Sequence, residues 1–148
     1  MNQASIVVSR LDELQAAILS VRLKWLSEFT SRRQEIAKAF RSEMRNPIVR
    51  LLAGPEKKGA HVYHLFVVNC SQRDALQRHL ASAGVQTLIH YPVPVHRQGS
   101  CLDIRKDPEG LVQSELHAES CLSLPCHPQM SNKDISVVID AVNSFRPI

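Results

Sequence analysis

The segment GVQTLIHYPVPVH restricts the backbone more than any other part of the chain. Pro92 and Pro94 each fix their own φ angle and hold the preceding residue extended. The residues before them predict a short strand over Val85–His90, which leaves His90 and Tyr91 at the edge of a stiff loop. Stiff loops at strand ends are common places for binding groups. The alternative is a rigid connector in which this histidine and tyrosine only cap the sheet.

The composition is that of an ordinary globular domain. A chain of 148 residues can bury one hydrophobic core. Apolar and charged fractions of 44% and 22% argue against disordered and fibrous classes. A net charge of +4 permits an anionic partner, but with 5% aromatic residues the chain lacks the pattern of a nucleic-acid surface. There is no apolar run of membrane-spanning length and no signal-peptide pattern at the start, so we expect a cytoplasmic protein without a membrane partner.

Five segments carry apolar residues at helical spacing. We expect the first helix over Asp12–Leu26 and a second that is capped by Thr30 or Ser31 and stops before Pro47. A third follows the central strand of the chain, a fourth covers Leu111–Ser120, and the last lies near the C-terminus. These helices account for about half of the sequence and must pack on whatever sheet the remaining segments form.

Two of the helices begin with the pattern of a capping box, in which a serine and an acidic residue three positions later bond to each other's backbone. Ser71 and Asp74 open the third helix, which ends at the next glycine. Ser131 and Asp134 open the last helix, which ends near Phe145.

Besides the strand before the prolines, three short strands are predicted, at Ile48–Leu52, His61–Val68 and Cys121–Leu124. The second is apolar on both alternating faces, which is typical of a central strand. Strands and helices do not alternate as long regular units. The sequence therefore predicts an α+β domain with a small mixed or antiparallel sheet packed with helices.

The cysteines and histidines could in principle support chemistry. His117, Cys121, Cys126 and His127 are residue types that zinc accepts, but their spacing matches no closed zinc module, and Pro125 separates the two pairs. A cysteine nucleophile would need a neighbouring histidine base, and nothing in the sequence brings the two together. We therefore expect no metal site, inert free thiols and no catalytic residue.

Four motifs carry a resemblance: SRLDELQAAIL from Ser9, HVYHLFVV from His61, TLIHYPVPVHRQ from Thr87, and ESCLSLPCHPQMS from Glu119. Together they resemble the C-terminal domain of the DegT/DnrJ/EryC1/StrS sugar aminotransferases, fold-type I pyridoxal phosphate enzymes that make amino sugars on nucleotide carriers. HYPVPVH is most similar to members that aminate dTDP-keto-sugars. The resemblance covers residues 9–148 as a single domain like the small domain of those enzymes, and residues 1–8 are expected to be an unrelated or degenerate start.

The resemblance implies that His90 and Tyr91 approach the sugar nucleotide, that Arg10 lies near the cofactor pocket, and that all three are substrate-binding residues. Two departures concern the cofactor. The family's large N-terminal domain, which carries the aldimine lysine, has no counterpart here, and none of the six lysines lies in the family's lysine motif. Val8 stands where the family has an asparagine that reaches the cofactor phosphate, and valine cannot donate that hydrogen bond. We therefore expect no bound cofactor in this chain alone.

Three functions remain open. The chain is a free-standing C-terminal domain that is inactive alone, such as a captured gene fragment with weak nucleotide-sugar binding. Alternatively, it completes a pyridoxal phosphate dependent dTDP-keto-sugar aminotransferase together with a separately encoded large domain. In the third, it is an assembly module that forms a homodimer through the surface that the large domain normally covers. Trp25, Leu26 and Phe29 are the candidate contacts, and burial in the domain's own core is the alternative for them.

Overall fold

The computed structural model describes residues 12–57, 59–101 and 107–146. Within these ranges the chain forms five α-helices and one three-stranded antiparallel sheet, which confirms the predicted α+β class. In chain order the elements are α1 (Glu13–Leu23), α2 (Leu26–Glu43), β1 (Arg50–Leu51), β2 (Phe66–Asn69), α3 (Arg73–Ser82), α4 (Val112–Ser120), β3 (Cys121–Leu124) and α5 (Asn132–Ser144). None of the described helices is both long enough and apolar enough to cross a membrane.

The sheet has the order β1-β2-β3, so the strand predicted to be central is central. Phe66 pairs with Leu124, and Asn69 pairs with Cys121. The strand is shorter than the predicted His61–Val68. The reason lies at Tyr63, which has a φ of 48° and donates its backbone N–H to the His61 ring at 2.9 Å. This local turn takes the chain out of the extended conformation before the ladder begins.

The predicted strand over Val85–His90 is wrong as a continuous strand. Only Leu88 pairs, through an isolated bridge in which it exchanges two backbone hydrogen bonds with Ser123 of β3. The N–H of Val85 instead bonds to the Leu80 carbonyl and helps to close the C-terminus of α3, where Gly84 has a φ of 77°. The start of the segment therefore serves as a helix cap, which leaves too few residues for a ladder.

The helix starts differ from prediction in two places. α2 begins at Leu26 rather than at Thr30 or Ser31, since only two residues separate it from α1, and the Thr30 hydroxyl accepts a hydrogen bond from Arg33 instead of capping. The Ser71 capping box is also wrong, because α3 starts at Arg73 without a side-chain cap. The Ser131 capping box is confirmed.

The core lies between the sheet and the inner faces of α2, α3 and α5. The rings of Phe40 and Phe66 meet edge to face with centroids 5.0 Å apart. Around them pack the fully buried side chains Ile36, Val68, Leu76, Leu80, Leu122 and Val142. α1 contributes no buried residue to this core. Burial in the domain's own core, the alternative for Trp25 and Leu26, is therefore wrong, because these side chains are 52% and 51% exposed.

Candidate functional site

The end of the segment before the prolines is fixed against β3. All four residues of β3 are buried, and Ser123 is the polar one among them. Its hydroxyl lies 2.9 Å from Nδ1 of His90, and the Cys121 thiol points at the His90 carbonyl oxygen at 3.9 Å. A half-buried imidazole with one nitrogen satisfied in this way has a defined ring orientation. His90 is therefore anchored to the sheet and is not a loosely attached surface residue.

Tyr91, the next residue, points away from the core. Its side chain is 71% exposed, and its ring meets the His90 ring edge to face, with centroids 5.5 Å apart. No described hydrogen bond involves its phenol, which can both donate and accept. An anchored imidazole beside an exposed phenol forms a polar edge suited to sugar hydroxyls or a phosphate oxygen.

After Tyr91 the two prolines lead into a short 3-10 helix, Val95–Arg97. The Arg97 N–H donates to the Pro94 carbonyl at 2.9 Å and closes this turn. The side chains of His96 and Arg97 both reach Glu115 of α4. The stiffness expected from the prolines is thus combined with a connection between the loop and a helix.

Two open cavities meet at His90. The first, of about 940 Å³, lies between α3, α5 and the segment before the prolines, and its lining includes His64, Gln77, Thr87, His127 and Met130. The second, of about 730 Å³, lies between the proline loop and α4, and its lining includes Tyr91, Val95, His96, Gln113 and His117. Both combine apolar walls with a few polar groups, which is the usual character of small-molecule sites.

The residues of these cavities do not fit pyridoxal phosphate. An internal aldimine needs a lysine amine at the cofactor. Of the described residues that line either cavity, none is a lysine, and the described lysines, Lys24, Lys38, Lys57 and Lys133, are exposed. Val8 and Arg10, which the resemblance connects with the cofactor, lie outside the described residues. The described residues of these cavities therefore supply no amine to which this cofactor could be joined.

Two of the described thiols, Cys121 and Cys126, are not arranged as nucleophiles. Burial raises the pKa of Cys126 to about 11 and also raises the pKa of Cys121. Cys121 faces the backbone carbonyl of His90 and not its imidazole. In the same residues no group of three His, Cys, Asp or Glu side chains could hold a metal ion.

Ser123 and Glu115 are site residues that sequence reasoning missed. Ser123 had a weak signal, because it is a polar residue between two leucines in a predicted strand. Glu115 had none, since one acidic residue in an amphipathic helix is ordinary.

A family model of the DegT/DnrJ/EryC1/StrS aminotransferases matches residues 5–143. The chain is 42% identical over 139 residues to the dTDP-3-amino-3,6-dideoxy-alpha-D-galactopyranose transaminase of Aneurinibacillus thermoaerophilus, covering 94% of this chain and 38% of that protein. It is 39% identical to the dTDP-3-amino-3,4,6-trideoxy-alpha-D-glucose transaminase of Streptomyces venezuelae, covering 93% and 36% of the two chains. It thus spans a little over a third of the length of these curated relatives.

Solved structures of related proteins have a similar fold. The crystal structure of S. venezuelae DesV in complex with a ketimine intermediate superposes with a TM-score of 0.82 at 34% identity, over 96% of this chain and 40% of that one. Such neighbours confirm the expected likeness to fold-type I aminotransferases, and partial coverage is consistent with a likeness to their C-terminal domain. The chain belongs to the DegT/DnrJ/EryC1/StrS aminotransferase family.

Proposed function

We propose that these 148 residues act as the C-terminal domain of a nucleotide-sugar aminotransferase, supplying one wall of the substrate site and performing no transamination by themselves. The observation that carries the proposal is the pair His90 and Tyr91, with the imidazole anchored to Ser123 at 2.9 Å and the phenol exposed beside it. Family membership supports a nucleotide sugar as the ligand, and the dTDP-sugar transaminases among the relatives favour a dTDP-keto-sugar.

The chemistry of the wall is binding and orientation. The Tyr91 phenol and the free nitrogen of His90 can form hydrogen bonds with sugar hydroxyls or with a phosphate oxygen. The cavities on either side of His90 give room for a sugar and its nucleotide. Because the ligand is held from one side only, we expect weak affinity, with a dissociation constant on the order of 1 mM.

In the proposed assembly, the cofactor and its lysine come from another polypeptide. The family's enzymes are pyridoxal phosphate dependent, and the described cavities have no lysine for that cofactor. A separately encoded large domain that brings the cofactor lysine would complete the site, which is the second candidate function. The exposed apolar side of α1 favours it, because such a surface is stabilised when another polypeptide covers it.

Without such a chain, we propose that a second copy of this chain covers the same helix. The side chains of Trp25 and Leu26, which follow α1 in the chain, are also exposed, and Phe29 is half-buried. Self-association removes this surface from water at a gain of about 25 cal/mol per Å² of apolar area. The same helix thus serves either assembly, and the two assemblies compete.

The first experiment follows the absorption spectrum of pyridoxal phosphate added to the purified chain, with and without dTDP-glucose, and then traps any imine with borohydride. We expect no more labelling than in an unrelated protein of similar lysine content. Saturable labelling of one lysine, or turnover of an amino donor, would overturn the inactive-alone proposal. Restored turnover on mixing with a large domain would instead support the completed enzyme.

A second experiment tests the wall itself by saturation-transfer NMR with dTDP-glucose. We expect transfer to the ligand from the wild-type chain and its loss in a His90→Ala, Tyr91→Ala double variant. Arg78→Ala is the control, because Arg78 is exposed on α3 and lines neither cavity. Equal transfer from all three proteins would show that the ligand binds elsewhere.

A further inference from the structure

Two side chains of the proline loop converge on a single carboxylate oxygen. His96 Nε2 lies 3.0 Å from Oε1 of Glu115, and the Arg97 guanidinium reaches the same oxygen with Nη2 at 2.8 Å and Nε at 3.0 Å. The cluster is not an open surface pair, since the side chains of His96 and Glu115 are 14% and 29% exposed. Two donor side chains on one partly buried acceptor fix the loop more firmly than an exposed ion pair.

Glu115 is also where the loop is hydrogen-bonded to the rest of the domain. In the described residues, the other hydrogen bonds of residues 91–98 are local: Arg97 to Pro94, Gln98 to Val95 and Cys101 to Gln98. Among the described residues, the hydrogen bonds of the loop that leave this neighbourhood all end on Glu115 of α4. The prolines make the loop stiff internally, but they do not determine how it sits against α4.

We propose that Glu115 is a positioning residue that holds the proline loop on α4 and so keeps Tyr91 in place for the nucleotide sugar. This role rests on the proposed function, because it acts through a substrate-binding Tyr91. A loop that is already ordered loses less conformational entropy when the ligand binds, and the affinity is therefore higher.

The electrostatics of the cluster agree with this role. The hydrogen bond from His96 is the largest cause of a lowered pKa at Glu115, and Arg97 lowers it further against the opposing effect of burial. The carboxylate therefore stays ionised at neutral pH, and in this form it can accept the hydrogen bonds of both His96 and Arg97.

The experiment compares Glu115→Ala with Arg97→Gln, which removes the guanidinium and its charge from the loop side. Backbone ¹⁵N relaxation of the non-proline residues 91–98 measures the order of the loop without any ligand. NMR titration with dTDP-glucose measures affinity. We expect lower loop order in both variants and an affinity about threefold to tenfold weaker for Glu115→Ala. Glu43→Ala on α2 is the matched control, since Glu43 is exposed, has no ion pair in the described chain and lines no cavity beside the loop.

A double-mutant cycle separates positioning from a general structural effect. If Glu115 acts through Tyr91, then Glu115→Ala changes affinity less than about twofold once Tyr91 has been replaced by alanine. Equal losses in both backgrounds would overturn the positioning role. Unchanged loop order in both Glu115→Ala and Arg97→Gln would overturn it as well, whatever happens to binding.

Failure of the proposed function gives a different pattern. Loop order would fall in the variants, but the wild-type chain and Tyr91→Ala would bind dTDP-glucose equally or not at all. That result would remove the substrate role of Tyr91 and the binding consequence of the contact at Glu115. If Glu115→Ala does not fold, Arg97→Gln carries the test, because the Arg97 side chain is 57% exposed and its loss leaves the core intact.

Discussion

Ser123 connects the buried sheet to the exposed edge of the site. Its backbone bridges Leu88, and its hydroxyl meets the His90 imidazole, so one residue fixes both the path of the segment and the orientation of the ring. The residue is 5% exposed, which leaves its hydroxyl little access to water. Loss of the hydroxyl would leave a half-buried ring nitrogen without its partner.

We expect Ser123→Ala to lower the free energy of unfolding by about 1 kcal/mol, because a buried hydrogen bond is lost. The His90 ring should also become mobile, with line broadening of its carbon-bound protons in NMR. Urea unfolding measures the first effect. Ser114→Ala on the exposed side of α4 serves as the control and should change the stability by much less. An unchanged midpoint and an unchanged His90 signal for Ser123→Ala would contradict the anchoring role.

Local sequence signals drew attention to some of these side chains and not to others. His90 and Tyr91 precede two prolines, and the restriction that a proline places on the neighbouring backbone can be predicted from the sequence alone. Ser123 lies 33 residues from His90, and Glu115 lies 19 residues from His96, so each pairing depends on how distant segments pack. Nothing in the spacing of these residues predicts either contact.

The two serine patterns at helix starts show the same limit for whole elements. Ser131 and Asp134 bond to each other's backbone at the start of α5, with distances of 3.2 Å and 2.8 Å. At α3 the same pattern fails, because the helix begins at Arg73 with Gln72 in the cap position, so Ser71 lies one residue too early to cap it. The capping pattern gives the spacing of the two side chains, but it does not determine at which residue the helix begins.

This difference predicts opposite results for two similar substitutions. Ser131→Ala should cost about 1 kcal/mol of stability, because α5 loses a side-chain cap. Ser71→Ala should be close to neutral, since Ser71 makes no described side-chain hydrogen bond at α3. Urea unfolding of both variants beside the wild type provides the measurement. Equal effects of the two substitutions would show that the cap at α5 adds nothing.

The cap at α5 also gives a pH dependence with a definite sign. Hydrogen bonds from Ser131, first from its side chain and then from its backbone, lower the pKa of Asp134 below the ordinary 3.8. A carboxylate with a lowered folded pKa stabilises the fold above the unfolded value, and that contribution is lost as the pH falls through the folded pKa.

We therefore expect Asp134→Asn to be less stable than the wild type at pH 7, with the difference shrinking as the pH falls below about 3.8. Urea unfolding between pH 7 and pH 3 measures both proteins. Asp140→Asn, beyond the first turn of the same helix, is the matched control. If the free energy of unfolding differs between Asp134→Asn and the wild type by the same amount at pH 7 and at pH 3, the ionised carboxylate is not the cause of the difference.

Element boundaries reveal which forces act beyond the local sequence. The β3 prediction, Cys121–Leu124, is confirmed to the residue, because Pro125 follows the strand, and α5 begins at its predicted cap and ends near Phe145 as expected. The prediction of a continuous strand over Val85–His90 was wrong, because the N–H of Val85 bonds to the Leu80 carbonyl at the C-terminus of α3. Period and turn signals thus identify the elements, but competition for backbone hydrogen bonds between neighbours decides their lengths.

One described helix, α1, contributes no buried side chain to the hydrophobic core. α1 carries five large apolar side chains that are each at least 50% exposed: Leu14, Ile18, Leu19, Val21 and Leu23. An amphipathic pattern predicted the helix correctly, but the same pattern contains no information about which surface would cover it. Because α1 has no buried residue, substitutions on it can test association without disturbing the fold.

We expect the chain to self-associate through α1, and Ile18→Glu to weaken that association by about tenfold or more, because each copy would bury a charge in an apolar contact. Sedimentation velocity over a range of protein concentrations gives the dissociation constant. The thermal midpoint of the dissociated chain should not change, since Ile18 is 51% exposed in the single chain. Ser20→Glu adds the same charge on the opposite face of α1, about 200° around the helix from Ile18, and should leave the association constant nearly unchanged. If both variants weaken association equally, net charge is the cause and the apolar side of α1 is not the contact; if neither does, the second copy binds elsewhere.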